Sequence, residues 1–251
     1  MNVLGVQVDN YSKKQVLEKV TEFLLSNKQN KIFTPNPEML VDAQKDEYFK
    51  TVLNSGDFNV CDGFGLQLVS GVKRYPGIEL MLDVCKLAEE KNKSVYLLGS
   101  GSDEITKDTA DELKNRFPNL KVCGMNKGPN ITYHISHITY QNDNENEEIV
   151  HNIIMSAPDI LFVAFGHGKQ EKWIYENLKD LPSVKISMGV GGSFDFISGK
   201  VKRAPRLMRK IGLEWVYRLV CQPWRFGRIW KATVVFIFYF IRSLISDRRS
   251  V

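Results

Sequence analysis

Short apolar runs alternate along the chain with segments in which apolar residues recur every three or four positions. The short runs predict strands at residues 3–8, 31–33, 58–61, 94–98, 121–124, 160–165 and 185–190. The periodic segments predict helices at residues 12–26, 37–44, 78–91, 104–117, 146–156 and 170–178. Ser12 and Ser102 are suited to capping the first and fourth of these helices. The alternation predicts an α/β protein with a largely parallel sheet and helices on both faces.

A polar stretch and a basic C-terminal segment interrupt this alternation. Residues 142–148 are polar and low in complexity, which predicts a surface loop. No Pro-, Gly- or Ser-rich linker and no internal repeat divides the preceding body. We therefore predict one body over residues 1–206 and a basic helical appendage over residues 207–251.

Charge is distributed very unevenly along the 251 residues. The whole chain carries +5, but residues 199–251 contain thirteen Lys or Arg against two acids, Glu214 and Asp247. That segment therefore carries +11, and the first 198 residues carry −6. A basic tail of this kind is typical of proteins that bind nucleic acid, an anionic membrane surface or a polyanionic ligand.

The aromatic content of the tail favours a membrane surface. Between residues 232 and 241 only Thr233 interrupts an apolar run, which is shorter than the ~20 residues of a spanning helix. On a helical wheel, one side carries Arg225, Arg228, Lys231 and Arg242, and the other carries Phe226, Trp230, Ile237, Phe240, Ile241 and Leu244. We expect an interfacial helix with its cations towards lipid headgroups and its aromatic residues in the acyl boundary.

The alternative to an interfacial helix is a terminal helix packed on its own core. Nucleic acid is disfavoured because bases do not require so apolar a face.

Cysteine usage and the first residues bear on location. The four cysteines are widely spaced, without a CxxC pair or a His/Cys spacing suited to zinc. The first residues contain Asp9 and no long apolar region, unlike a secretory signal. Both features favour reduced thiols in a cytoplasmic protein.

Two apolar runs near residues 161 and 186 end at glycines that precede polar residues. Gln170 follows the first run, and Gly191, Gly192 and Asp195 follow the second. Glycine lets backbone N–H groups approach a phosphate or a sugar, so the pair of corners favours a ligand site. Taken singly, each corner is also compatible with an ordinary strand–turn–helix connection.

Two other strand ends carry candidate chemistry. Thr34 and Asn36 flank Pro35, whose neighbours are restricted to extended conformations, although Asn36 is also suited to capping the next helix. Asp62 precedes Gly63 and is a candidate general base that would need a partly desolvated pocket to raise its pKa. The alternative for Asp62 is an ordinary Asp-Gly turn.

Other familiar site patterns are incomplete. Gly99 and Gly101 follow a strand, but Lys107 stands where the third glycine of a dinucleotide fingerprint would fall. This argues against an NAD(P) enzyme. The four histidines offer no triad, so hydrolase chemistry has little support.

A series of blocks over nearly the whole chain resembles the WecG/TagA/CpsF glycosyltransferases. In chain order the blocks are TPNPEM, DGFG at residues 62–65, RYPGIEL, LLG, FGHGKQEKW, VGGSFDFISGKVKRAP and GLEWVYRLVCQPWRFGR. The resemblance implies a Rossmann-like α/β/α sandwich with a C-terminal appendage that reaches the membrane. It also implies inverting transfer of N-acetylmannosamine from UDP to undecaprenyl-diphosphate-linked N-acetylglucosamine, in wall teichoic acid or related surface-polymer synthesis.

The resemblance also implies roles for individual residues. Asp62 is implied as the catalytic base for the acceptor hydroxyl. Around the sugar, the resemblance implies binding by Thr34, Asn36 and Gln170. Around the nucleotide, it implies Gly191, Gly192 and Asp195. Around the diphosphate, it implies Arg218, Arg225 and Arg228. The chain has no DxD pair to hold a metal-bridged diphosphate, so we expect no metal and no cofactor, with arginines meeting the charge of the leaving UDP.

The expected partners are a UDP-sugar donor, the lipid-linked acceptor and an anionic membrane surface on the inner face of the cell membrane. A homo-oligomer is left open. One alternative keeps the chemistry with another donor, UDP-N-acetylmannosamine uronic acid or UDP-glucose. Two more distant alternatives are a nucleotide-dependent oxidoreductase on a similar sheet and a non-catalytic membrane scaffold.

Overall fold

A six-stranded parallel sheet forms the centre of the protein. The computed structural model describes residues 1–134 and 137–247, so the last four residues of the predicted appendage lie outside it. The strands of this sheet are β3 (Asn30–Phe33), β4 (Phe58–Asn59), β5 (Ser94–Gly99), β6 (Lys121–Asn126), β9 (Ile160–Ala164) and β10 (Ile186–Gly189). Their spatial order is β4-β3-β10-β9-β5-β6. Two small antiparallel hairpins, β1 (Asn2–Val3) with β2 (Val6–Gln7) and β7 (Ile131–Tyr133) with β8 (Ile138–Tyr140), lie outside it.

Helices cover both faces of the sheet. One face carries α2 (Pro37–Asp42), α3 (Glu47–Asn54), α7 (Asp143–Ser156) and α8 (Lys169–Asn177). The other carries α1 (Lys13–Leu25), α5 (Gly77–Glu90), α6 (Asp103–Arg116) and α9 (Ser193–Ile197), while α4 (Phe64–Ser70) contributes Leu66 to the α2 side. Side chains of β9 alternate between the two cores, with Ile160 and Phe162 on the α5 side and Leu161 and Val163 on the α2 side. The predicted α/β class and parallel sheet are confirmed.

The neighbouring strands β3 and β10 lead to helices on opposite faces. The chain leaves β3 for α2 and leaves β10 for α9, which belong to different cores. In a parallel sheet such a divergence opens a crevice at the carboxyl ends of the strands, where ligands bind. The topology therefore places the candidate site between these two strand ends.

Most of the predicted helices and strands are present, but the predictions for residues 3–8 and 142–148 are wrong. Residues 3–8 form a tight hairpin rather than one strand, because Leu4 and Gly5 take positive φ values of 52° and 80°. The stretch 142–148 is not a loop: Asn142 accepts from the Asn144 N–H, and α7 begins at the next residue. Asn144, Glu147 and Glu148 are exposed at the start of this helix, whereas Asn146 accepts from Trp173 Nε1 at 2.7 Å, and Ile149 and Ile153 are buried.

The C-terminal segment is a chain of short helices packed against the body. They are α10 (Arg206–Lys210), α11 (Glu214–Cys221), a 3₁₀ turn (Pro223–Arg225), α12 (Phe226–Trp230), a π-helical turn (Lys231–Val235) and α13 (Phe236–Asp247). Phe236 is 1% exposed and belongs to the core on the α2 side. Among the described residues, no helix combines the length and apolar character needed to cross a membrane.

The orientation predicted for the basic side of this segment is wrong. Arg228 and Lys231 point towards the body, where Arg228 Nη2 lies 2.9 Å from Glu38 Oε2 and Lys231 Nζ lies 2.9 Å from Asp42 Oδ1. Glu38 and Asp42 lie one turn apart on α2. Because they pair with Arg228 and Lys231, carboxylates of the body rather than lipid headgroups neutralise these two cations.

The opposite side of the segment forms an apolar stripe that is exposed to solvent. Its residues are Trp224, Phe226, Trp230, Val234, Ile237, Phe238, Ile241, Leu244 and Ile245. Two residues depart from the predicted wheel: Phe240 packs partly against the core, and Arg242 is exposed beside the stripe. The π-helical turn accounts for both, since it breaks the α-helical spacing that the wheel assumes.

A buried ion pair fixes the β7–β8 hairpin, which contributes to the site. Lys172 of α8 is fully buried, and its Nζ lies 2.7 Å from Asp46 Oδ2 and donates to the His134 carbonyl at 2.8 Å. Tyr133 donates to the same carboxylate at 2.8 Å, and its ring lies 4.2 Å from the ammonium. The hairpin is thereby tied to α8 and to the N-cap of α3.

Replacing Lys172 with Met should lower the free energy of unfolding by about 3–5 kcal/mol, because it leaves a buried carboxylate without its cation. Urea denaturation followed by far-UV circular dichroism measures the change. Lys179→Met, at an exposed position just after the same helix, is the matched control. Equal stability of the two variants would contradict the structural role of the ion pair.

Candidate functional site

A cleft of about 510 Å³ opens along the carboxyl ends of β3, β5, β9 and β10. The body supplies one side of its wall and the C-terminal segment supplies the other. All ten residues singled out from the sequence line this one cleft, namely Thr34, Asn36, Asp62, Gln170, Gly191, Gly192, Asp195, Arg218, Arg225 and Arg228. Residues almost two hundred positions apart therefore meet around one space, while their individual roles stay predictions.

Asp62 is held in a desolvated position by the backbone and by one arginine. Its Oδ1 accepts from the Gly77 N–H at 3.1 Å, and its carbonyl accepts from Arg74 Nε at 2.6 Å. Burial raises the pKa of Asp62, while the positive charge of Arg74 and the Gly77 N–H act in the opposite direction. A carboxylate with a raised pKa that faces a cleft is suited to accepting a proton.

Thr34 and Asn36 take different positions at the end of β3. A β-carbon at Gly77 would lie 3.4 Å from Thr34 Oγ1 and 3.7 Å from Asp62 Oδ2, so hydroxyl and carboxylate flank the same glycine. Asn36 caps α2, with its Oδ1 accepting from the Met39 N–H at 3.1 Å. The capping alternative for Asn36 is therefore observed, and the residue also lines the cleft.

Gln170 links α8 to the loop after β10. Its Oε1 accepts from the Gly191 N–H at 2.9 Å, and its Nε2 donates to Glu171 Oε1 at 2.7 Å. Glu171 in turn accepts from the Gly168 N–H at 2.7 Å, and burial raises the pKa of Glu171. Through these contacts Gln170 fixes the glycine loop at the cleft wall.

The arginines of the C-terminal segment bring desolvated positive charge to the cleft. Burial lowers the pKa of Arg225, and the charges of Arg228 and Arg218 add to this effect. Asp195 faces Arg225, and burial raises the pKa of Asp195 despite that neighbour. Among the described residues, the Nε atoms of Arg203, Arg218 and Arg225 are buried without a hydrogen-bond partner. Buried N–H donors of this kind are normally satisfied, so these point to an anionic ligand in the cleft.

A polar cluster joins α2, the loop after β9 and the C-terminal segment. One ligand atom from each of Glu38, Asp42 and His167 lies within 4.8 Å of the others, a spacing compatible with a metal. Arg228 and Lys231 engage all three, with Arg228 Nη2 3.1 Å from His167 Nδ1. Burial alone would raise the pKa of Asp42, but hydrogen bonds from His167 and Lys231 bring it below its ordinary value. The cluster fastens the segment over the cleft.

Several ionisable residues of the cleft were not among the predicted ones. They are Lys127, His167, Lys169, Arg203 and Glu214. Lys127 directly follows β6, so its position after a strand could have identified it. Arg203 and Glu214 lie inside the blocks KVKRAP and GLEWVYR, but only the three-dimensional packing shows that both face the cleft.

The comparisons with known proteins agree with this geometry. The sequence matches the family model described as "Glycosyl transferase WecG/TagA/CpsF family" over residues 1–250. Two proteins, from Staphylococcus aureus strains MRSA252 and NCTC 8325, are each named N-acetylglucosaminyldiphosphoundecaprenol N-acetyl-beta-D-mannosaminyltransferase. Each is 32% identical to this chain over 246 residues, which cover 95% of this chain and 91% of the relative. The chain therefore belongs to the WecG/TagA/CpsF family of glycosyltransferases.

Proposed function

We propose that this protein transfers N-acetylmannosamine from UDP-N-acetylmannosamine to undecaprenyl-diphosphate-linked N-acetylglucosamine, with inversion at the anomeric carbon. The observation that carries the proposal is that Asp62 and arginines with unpartnered buried N–H groups share one cleft. The names of the relatives, which are 32% identical to this chain, supply the donor and acceptor.

In the proposed reaction Asp62 takes the proton from the acceptor hydroxyl. The oxygen then attacks the anomeric carbon from the face opposite to UDP, and the bond to UDP breaks with its electron pair on the departing phosphate oxygen. The leaving group gains negative charge in this step. Arg218 and Arg225 are proposed to stabilise that charge, because both line the same cleft and carry buried Nε groups without a hydrogen-bond partner.

The C-terminal segment is proposed to place the enzyme at the inner face of the membrane. The apolar stripe supports this, since an exposed row of aromatic and aliphatic residues on a helix is typical of interfacial helices. The basic side packs on α2, so the stripe itself is proposed to enter the lipid. This arrangement would bring the lipid-linked acceptor to the open side of the cleft.

Two alternatives make different predictions. An oxidoreductase would bind a dinucleotide at the loop after β5, but the first turn of α6 there carries Asp103 and Glu104, which disfavour phosphate. A non-catalytic scaffold would tolerate replacement of Asp62. The donor alternatives, UDP-N-acetylmannosamine uronic acid and UDP-glucose, keep the same chemistry.

Purified protein should transfer sugar from UDP-N-acetylmannosamine to a farnesyl-diphosphate-linked N-acetylglucosamine, and Asp62→Asn should lower kcat by roughly 10²–10⁴-fold. The amide has nearly the same shape but cannot take the proton. Chromatographic detection of the product measures the rate, and titration with UDP should give a nearly unchanged Kd. Asp108→Asn, at an exposed position on α6, is the matched control. Normal turnover by Asp62→Asn would remove this residue from the role of base.

The raised pKa of Asp62 predicts a characteristic pH dependence of kcat/KM. The base acts only when ionised, so the rate should rise with pH through that pKa and level off above it. Because burial raises the pKa, the midpoint should lie above the ordinary value of about 4. UDP binding measured over the same range separates loss of the base from loss of donor affinity. A midpoint at or below the ordinary value would contradict the desolvated environment.

Phe238→Glu combined with Ile241→Glu should reduce binding to vesicles of phosphatidylcholine and phosphatidylglycerol more than tenfold. Each side chain contributes about 1.5–3 kcal/mol when fully buried in an apolar phase. Vesicle co-sedimentation measures the partitioning. The control pair, Leu25→Glu with Met155→Glu, replaces exposed apolar residues on the body. Equal losses from both pairs would overturn the role of the stripe.

A further inference from the structure

A second cleft, also of about 510 Å³, adjoins the first and is strongly basic. Arg74, Arg203, Arg206, Arg209 and Lys210 line it. Arg203 and Pro76 line both clefts, so the two spaces share a wall. We call this second space the basic cleft, and nothing in the proposed reaction so far uses it.

The positive charge of the basic cleft is only loosely compensated. Glu79 lies 3.6 Å from Arg203 and 3.7 Å from Arg209, and Glu214 lies 3.7 Å from Arg74 and 3.9 Å from Arg203. Charge-assisted hydrogen bonds are shorter, about 2.7–2.9 Å. The carboxylates of Glu79 and Glu214 are thus shared among Arg74, Arg203 and Arg209. Neither carboxylate lies closer than 3.6 Å to any of these three guanidinium groups.

Individual groups in the basic cleft point to an anion. The Nε of Arg203 is buried without a hydrogen-bond partner. Burial lowers the pKa of Arg203, the charge of Glu214 opposes this, and the charge of Arg209 adds to it. Arg206 and Lys210 are exposed and, within the described part of the chain, take part in no ion pair. A ligand with two or more negative charges would satisfy this arrangement.

The basic cleft lies next to the proposed base. Arg74, which lines it, donates from Nε to the carbonyl of Asp62 at 2.6 Å. In the lipid-linked acceptor, the diphosphate and the reacting hydroxyl are carried by the same sugar ring. When that hydroxyl meets Asp62, the diphosphate must therefore lie one sugar ring away. The basic cleft is cationic and adjoins Asp62 through Arg74, while the donor diphosphate is assigned to Arg218 and Arg225.

Apolar residues lie beside these cations on the same short helix. Leu207 and Ile211, which are 70% and 51% exposed, lie four positions apart on and just after α10, next to Arg206 and Lys210. A phosphate-binding surface with an exposed apolar edge matches a ligand whose diphosphate is joined to a hydrocarbon chain.

We propose that the basic cleft holds the diphosphate of the prenyl-linked acceptor, with Leu207 and Ile211 against the first prenyl units. This inference rests on the proposed function, since it concerns the acceptor of that transfer. It assigns separate subsites to the two diphosphates of the reaction, the donor on the Arg218 and Arg225 side and the acceptor on the Arg206 and Lys210 side.

Arg206→Glu combined with Lys210→Glu tests the assignment without touching the packed arginines. With the farnesyl-diphosphate-linked acceptor, the variant should show a rise of at least tenfold in acceptor KM. Its Kd for UDP should stay within twofold of the parent value. Calorimetric titration with farnesyl diphosphate, which requires no turnover, should show the same weakening of at least tenfold. Lys107→Glu with Lys114→Glu on α6 makes the same change in net charge at exposed positions and is the matched control.

The outcomes separate this inference from the proposed function. An unchanged acceptor KM with normal transfer would overturn the acceptor subsite and leave the proposed function intact. Absence of transfer by the parent protein, together with farnesyl diphosphate binding that depends on Arg206 and Lys210, would support the subsite and overturn the function. Weaker binding to phosphatidylglycerol vesicles with unchanged KM for the soluble acceptor would assign the cleft to lipid headgroups and overturn the inference. Equal affinity of the parent protein for inorganic pyrophosphate and farnesyl diphosphate would support the diphosphate contact and overturn the prenyl contact.

Discussion

The cleft depends on the pairing of two acids on α2 with two cations of the C-terminal segment. Glu38 is almost fully buried, and a buried carboxylate is costly unless a cation and hydrogen bonds compensate it. Arg228 and Lys231 supply that compensation. Because α2 begins directly after the end of β3, the pairing brings the segment over the edge of the sheet where the strand-end residues lie. The same pairing turns the basic side inward and leaves the apolar side facing outward.

Opposing electrostatic effects meet at the centre of the site. Burial makes ionisation of Asp62 harder, and the guanidinium of Arg74 together with the Gly77 N–H makes it easier. Burial also destabilises the charged form of Arg225, which lies among like charges. An anionic ligand between the guanidinium groups would relieve that repulsion. The cluster of positive charge therefore favours an anionic ligand in the cleft over a neutral one.

The long elements could be predicted from the sequence because each has enough residues to show its period. The six helices and the strands of the central sheet, including β9 and β10, fall near their predicted positions. The hairpin β7–β8 could not be found, since three-residue strands carry too little pattern. Helix α3 was missed because only Phe49, Val52 and Leu53 mark its buried side.

Ten residues of the site could be predicted, but the rest of its lining and its arrangement could not. Strand-end residues such as Asp62 and Thr34 could be identified because parallel strands bring their carboxyl ends together. The direction of Arg228 could not, since a helical wheel shows which residues share a side and not what that side faces. The contribution of Arg203 to two clefts depends on contacts between distant segments, and local spacing holds no signal for it.

The π-helical turn Lys231–Val235 has a consequence for how insertions and deletions act on the tail. Such a turn accommodates one residue more than an α-helical turn, which offsets everything after it by about 100°. That angular offset directs Phe236 into the body and leaves Arg242 outside. Loss of a single residue there would rotate α13 by about 100° about its own axis and carry Phe236 out of the core, so the length of this turn is constrained together with the pairing of Lys231 with Asp42.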